Sequence, residues 1–255
     1  MDLAALIAAR VEADPAAAPS LDPRASERAL LDAVPSPLDA RWIGEAARTI
    51  AAHHAAGRGA WRLLRVLEPA LADLEVRDPE SAGRAHAALG AQALLEDDPE
   101  IFLDRVGLAA DALDRAGAAR AACVERSFHG AALLALGMNE QAEPAIVGAL
   151  RAAEALGLER ARAWAETLHV RLAARMAGAR TDLAGASTWL AGGAVPAWLS
   201  QAEARAAAGD AAGSAAALAE ARRAVLAFAS RLRRPAVRKS YLERVPEHRR
   251  ALSLD

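Results

Sequence analysis

Cysteine, lysine and tyrosine each occur once in the 255 residues, as Cys123, Lys239 and Tyr241, and aromatic side chains make up only 4%. A single thiol excludes an internal disulfide and a multi-cysteine zinc site, and it suits a reducing compartment. The scarcity of aromatics argues against sheets, which draw on β-branched and aromatic residues. No stretch approaches the ~18 uncharged apolar residues of a membrane span, so no membrane partner is expected. The first residues, Met1 to Ile7, carry no basic region, and Arg10 and Glu12 interrupt the apolar stretch that follows. A signal peptide is therefore not expected, and the expected location is cytoplasmic. No Gly-rich phosphate loop and no kinase catalytic motif is present. Net charge is −2, so the molecule as a whole has no bias toward nucleic acid.

Alanine is what the sequence has in excess. The hydrophobic share is 54% despite the few large apolar residues. Small apolar residues suit helices packed closely on helices, so an all-α fold is expected. Alanine excess, together with arginine at every basic position but Lys239, is the composition of a GC-rich bacterial genome. A chain this long is large for one core, a limit that stacked repeats escape.

Residues 1–37 are set apart by Pro15, Pro19, Pro23, Pro35 and Pro37, which bound two short helical stretches, Asp2 to Ala13 and Ala25 to Val34. From Leu38 the pattern is regular. Turn-type residues at Gly57, Asp97, Gly137, Gly178 and Gly209 are 40, 40, 41 and 31 apart. Glycine closes a helix readily because it adopts the left-handed conformation without cost, and Asp97-Asp98-Pro99 both ends one helix and starts the next. Gly90 and Gly130 stand seven residues before two of these turns, Ala202 seven before Gly209. Glycine inside a helix costs up to ~1 kcal/mol, so close approach of a neighbouring helix is expected there. Second helices follow, with Phe102, Val106 and Ala109, then Ala142, Ile146, Ala149 and Leu150, then Leu218 and Ala221, at helical spacing.

Leu89-Gly90 through Asp97 to Ala109, and His129-Gly130 through Gly137 to Ala149-Leu150, resemble the tetratricopeptide signature, and Trp198 stands where that family often places its tryptophan. The spacing exceeds the ~34 residues of the standard repeat. Arg171 replaces the small residue in the pair starting near Glu159, and residues 179–195 read as a short, irregular second helix. The run Arg238-Lys239-Ser240-Tyr241-Leu242 through His248 is similar to the closing segment of repeat regions in large bacterial signalling proteins that carry a kinase or a nucleotide-binding switch domain upstream. The resemblance implies an α-solenoid of antiparallel helix pairs with a period near 40 residues. Five pairs fit: 38–75, 79–116, 118–156, 159–190 and 196–232, with 233–255 as a basic cap. First helices would line an inner wall, at which Arg84, Ser127 and Arg175 stand. Members that grip a carboxyl-terminal tail use lysines and asparagines on this wall. Here those positions are mainly Ala and Leu, which points to a partner helix or to self-association.

Other constellations are weighed against packing. Glu166 and His169 have the spacing of a di-iron bundle motif, but a second copy is missing, so no metal is expected. Cys123, Glu125 and His129 lie on one expected helix, where Cys123 and His129 point to different sides, so no catalytic group and no cofactor is expected. Adjacent His53 and His54 cannot share a helix face, and a cation facing the helix dipole explains one of them. Trp42, Trp61, Trp164, Trp189 and Trp198 are expected to be core wedges. Between positions 231 and 250, eight cations face only Glu243 and Glu247. A solvated cap is the first reading of that segment, and a nucleic-acid-binding regulator is the alternative.

Overall fold

In the computed structural model, described for residues 3–177, 195–230, 235–244 and 246–252, every regular element is helical. The helices are α1 (Leu3–Ala13), α2 (Pro23–Asp32), α3 (Ala40–Ala55), α4 (Trp61–Leu67), α5 (Leu71–Arg77), α6 (Pro79–Leu95) and α7 (Pro99–Arg115). They continue with α8 (Ala119–Ala135), α9 (Asn139–Leu156), α10 (Glu159–Ala177), α11 (Val195–Ala207), α12 (Ala211–Ala229), α13 (Pro235–Arg244) and α14 (Pro246–Leu252). None of them is long and apolar enough to cross a membrane.

Local chemistry sets where helices begin. Asp22, Asp39, Asp78 and Asp98 each accept a hydrogen bond from the backbone N–H three residues on, at 2.7 to 3.2 Å. Three of these caps precede a proline at the first helical position, where its missing N–H removes nothing.

Helix exits repeat one backbone device. Gly57, Asp97, Gly137 and Gly209 all adopt the left-handed conformation, and so do Gly117 and Gly157 between them. After each of the six, the next N–H bonds back to the carbonyl five residues earlier, at 2.9 or 3.0 Å, as in Asp98 to Ala93 and Met138 to Leu133. From Asp97 to Gly157 the exits therefore recur every 20 residues, and the 40-residue comb is this shorter beat sampled at every second turn. Gly178 lies outside the described residues.

Helices α6 and α7 span residues 79–115 and α8 and α9 span 119–156, and each described helix from α6 to α12 packs on the next described one. The first pair differs: its second member is broken into α4 and α5 by a 3-10 turn at Glu68–Ala70. Pro69 sits there, and proline can neither donate to an α-helical ladder nor fit against the preceding turn.

Gly90 and Gly130 have the close approach expected of them. A Cβ at Gly130 would stand 2.7 Å from Ile146 Cγ1, and one at Gly90 3.3 Å from Arg105 Cβ. Gly83, one helical heptad before Gly90, is tighter still, 2.6 Å from Leu113 Cγ. At Arg171 the corresponding seam is polar: its guanidinium bonds both oxygens of Glu203 on α11, at 2.5 and 3.0 Å.

Phe102, Val106, Ile146 and Phe128 are fully buried in the core between these hairpins. Trp164 stacks on Phe128 with ring centroids 5.2 Å apart, and Trp42 is buried with its indole N–H donating to the Leu30 carbonyl. Trp61 departs from the expected core role. It is half exposed, its indole lying over Gly59, which has no side chain to obstruct it. Val195, Leu199, Ala221, Val225 and Ala251 form a separate core of α11, α12 and α14. Trp189 lies outside the described residues.

Candidate interaction groove

The faces of α3 and α6 that look toward α1 are built of very small residues. Gly44, Ala47 and Ala51 on α3, and Ala87, Ala88 and Ala91 on α6, recur at three- and four-residue steps and so form stripes. Small side chains leave room for another helix, and α1 takes it, lying against α3, α6, α8 and α10. Leu6, Ala9 and Ala13 are its buried face, joined to the core of Phe102, Phe128 and Leu158. Fully burying a leucine such as Leu6 stabilises by about 1.5–3 kcal/mol.

Polar contacts crowd the C-terminal end of α1. Arg10 donates to Glu125 of α8 through Nε and Nη2, at 2.7 and 2.8 Å, and the Glu125 side chain is 3% exposed. Such a two-pronged pair fixes both position and angle. The Glu12 carboxylate accepts from the backbone N–H groups of Arg160 and Ala161, at 2.9 to 3.3 Å. Those are first-turn groups of α10, which have no partner inside their own helix and favour an anion. Arg120 donates to the carbonyls of Glu12 and Ala13, and Arg84 pairs with Asp14 at 2.8 Å. Burial works against the Arg84 charge, but Glu80 and Asp14 outweigh it and raise its pKa.

The fit is incomplete toward α3 and α6. A cavity of about 80 Å³ remains between Ile7, Arg10 and Ala13 on one side and the alanine stripes on the other. His54 lies on its wall. Nε2 of His54 donates to the Gln92 side-chain oxygen at 2.9 Å, and its buried Nδ1 has no hydrogen-bond partner among the described residues. Burial pushes its pKa down to about 4. The ring is thus neutral, so His54 is not the helix-end cation expected of one of the two adjacent histidines. His53 Nε2 lies 3.3 Å from Glu27.

Of the three inner-wall residues expected from the sequence, Arg84 belongs to this groove. Ser127 is buried, with its hydroxyl turned back onto the Cys123 carbonyl, so a partner does not reach it. Arg175 stands apart, donating to the Leu134 carbonyl at 2.5 Å and 3.6 Å from Glu203. Arg10, Glu12 and Glu125 make the polar contacts that seat α1, and sequence reasoning did not single them out as a site. Glu125 is taken by Arg10, and the buried Cys123 thiol donates to the Ala149 carbonyl at 3.5 Å. Glu166 accepts from Arg162 at 2.6 Å, and His169 is exposed.

Compared with protein-family models, curated proteins and solved structures, the chain matches none. The geometry of the groove is therefore what a functional reading must stand on.

Proposed function

We propose that the protein is a non-catalytic scaffold that holds a helix of another protein, built as a tetratricopeptide-like α-solenoid of antiparallel helix pairs with a period near 40 residues. The observation that carries this reading is the seat of α1. A wall of small residues flanked by Glu125, Arg84 and the first turn of α10 already receives a helix by apolar and charged contacts together. Helix-in-groove recognition uses these same parts, with apolar residues at three- and four-residue spacing and charges that set the register. A setting in bacterial signalling, beside a kinase or switch ATPase, rests on the resemblance alone.

Panning a library of displayed helical peptides against the full chain tests the reading. Enriched peptides are expected to share an amphipathic spacing, to bind less on Arg84→Glu, and to be unaffected by Arg238→Ala with Lys239→Ala. No enrichment would sink the scaffold. The nucleic-acid alternative is disfavoured because Arg249 pairs with Asp97 at 2.9 Å and Arg250 with Glu203 at 2.5 Å. It would be revived by duplex DNA binding that falls steeply with salt and is lost in the Arg238/Lys239 double variant.

A further inference from the structure

The geometry points to α1 as a built-in competitor: it occupies a groove meant for a partner helix of α1-like chemistry and gives way when that helix arrives. This rests on the scaffold reading above. The partner helix is specified by the seat. It carries small or medium apolar residues at the spacing of Leu6, Ala9 and Ala13, an arginine next after the second of these for Glu125, and an acid two positions further on for the first turn of α10.

Three observations support exchange over a permanent core role. First, α1 is held as a ligand is held. Its own charged side chains, Arg10 and Glu12, reach Glu125 and the first turn of α10, more than a hundred residues away in sequence, and only beyond its end does Asp14 pair with Arg84 of α6. Second, its fit is loose on one side, where the 80 Å³ cavity faces alanines and Gly44. A partner with a larger side chain at the place of Ile7 or Ala13 would fill that space and gain contacts α1 does not make. Third, α1 is a helix of three turns, a length that is marginal alone in water, joined to α2 by a stretch containing Pro15 and Pro19. When displaced, it leaves as an unfolded tether. The tether holds α1 near its seat at an effective concentration of order millimolar, which weakens a competitor's apparent affinity without blocking it.

The test uses the full chain and, as probe, a fluorescein-labelled peptide of residues 1–18 of this sequence. Arg10→Glu in the chain sets two acids against each other and frees the groove. The peptide is expected to bind this variant at least about tenfold tighter than the wild-type chain, as expected when the open state is populated below a tenth. A chain carrying Arg10→Ala and Glu125→Arg should prefer the peptide bearing Arg10→Glu over the native peptide. Hydrogen exchange of residues 3–13 should speed up in the Arg10→Glu chain while α8 keeps its protection. If that variant loses helical signal, Glu12→Ala, which releases only the α10 contact, is expected to shift binding in the same direction. Equal peptide affinity for wild type and a folded variant would overturn the competitor role. Peptides from the panning separate the two readings. Equal binding to both chains leaves the scaffold standing without the competitor, and no binding to either removes the scaffold itself.

Discussion

At neutral pH the imidazole of His54 carries no charge, because the packing of α3 on α6 strips water from it, which outweighs the Gln92 hydrogen bond that favours the charged form. In the unfolded chain a histidine titrates near 6.5, against about 4 in the fold. As pH falls between those values the unfolded state takes up the proton first, so stability present above about 6.5 declines toward 4, by roughly 3 kcal/mol. Urea unfolding at pH 7.5 and 4.5 should show this loss, and His54→Gln should flatten it. Cys123 gives a second residue-scale outcome. Burial pushes its thiol up to about 11, so iodoacetamide should leave the native protein unlabelled and modify it only in denaturant. Helical glycines divide by their surroundings. A methyl at Gly148 meets nothing within 4 Å among the described residues, whereas one at Gly130 runs into Ile146. Thermal melts should therefore show Gly148→Ala raising stability by up to about 1 kcal/mol and Gly130→Ala lowering it by about 1–3 kcal/mol.

Helix ends are where the sequence was most readable, because a left-handed exit and an aspartate cap are fixed by a few adjacent residues. Gly57, Asp97, Gly137 and Gly209 all reveal themselves in this way. Gly117 and Gly157 carry the same geometry but close second helices, which the comb of first-helix exits steps over, so the 40-residue spacing concealed the 20-residue one. Asp97 is the single described non-glycine residue among these exits, with φ of 63°. Its exposed contact with Arg249 contributes little, so Asp97→Gly should be neutral or stabilising, while Gly137→Ala should cost about 1 kcal/mol. Paired denaturation curves would check both signs. The groove was much harder to foresee. Caps and periodicity are local signals, but Arg10 meets Glu125 across 115 positions, and nothing in either residue's neighbourhood announces the other. Of the three residues expected on an inner wall, Arg84 lines the α1 groove and Ser127 is buried, since helical phase alone does not tell which side of α8 is covered by α9 and which by α1.

At the scale of the whole molecule, Glu203 ties α11 and α14 to α10. Burial alone would raise its carboxyl pKa, but Arg171, Arg250 and Arg175 around it hold it below the ordinary value. Glu203→Ala leaves Arg171 without its two bonds and should cost roughly 2 kcal/mol, seen as earlier urea unfolding. At the other end, eleven residues of α1 reach from α3 to α10, a rod of about 16 Å. Its two ends are therefore a gauge of how many hairpins lie between them. Tandem duplication of residues 98–137 would splice two like exits and keep the backbone continuous, yet it would carry the start of α10 beyond the span of Glu12. A lengthened chain of this kind would be born with its first helix unlatched, so the number of hairpins and the closed state of the groove are tied together by the length of one short helix.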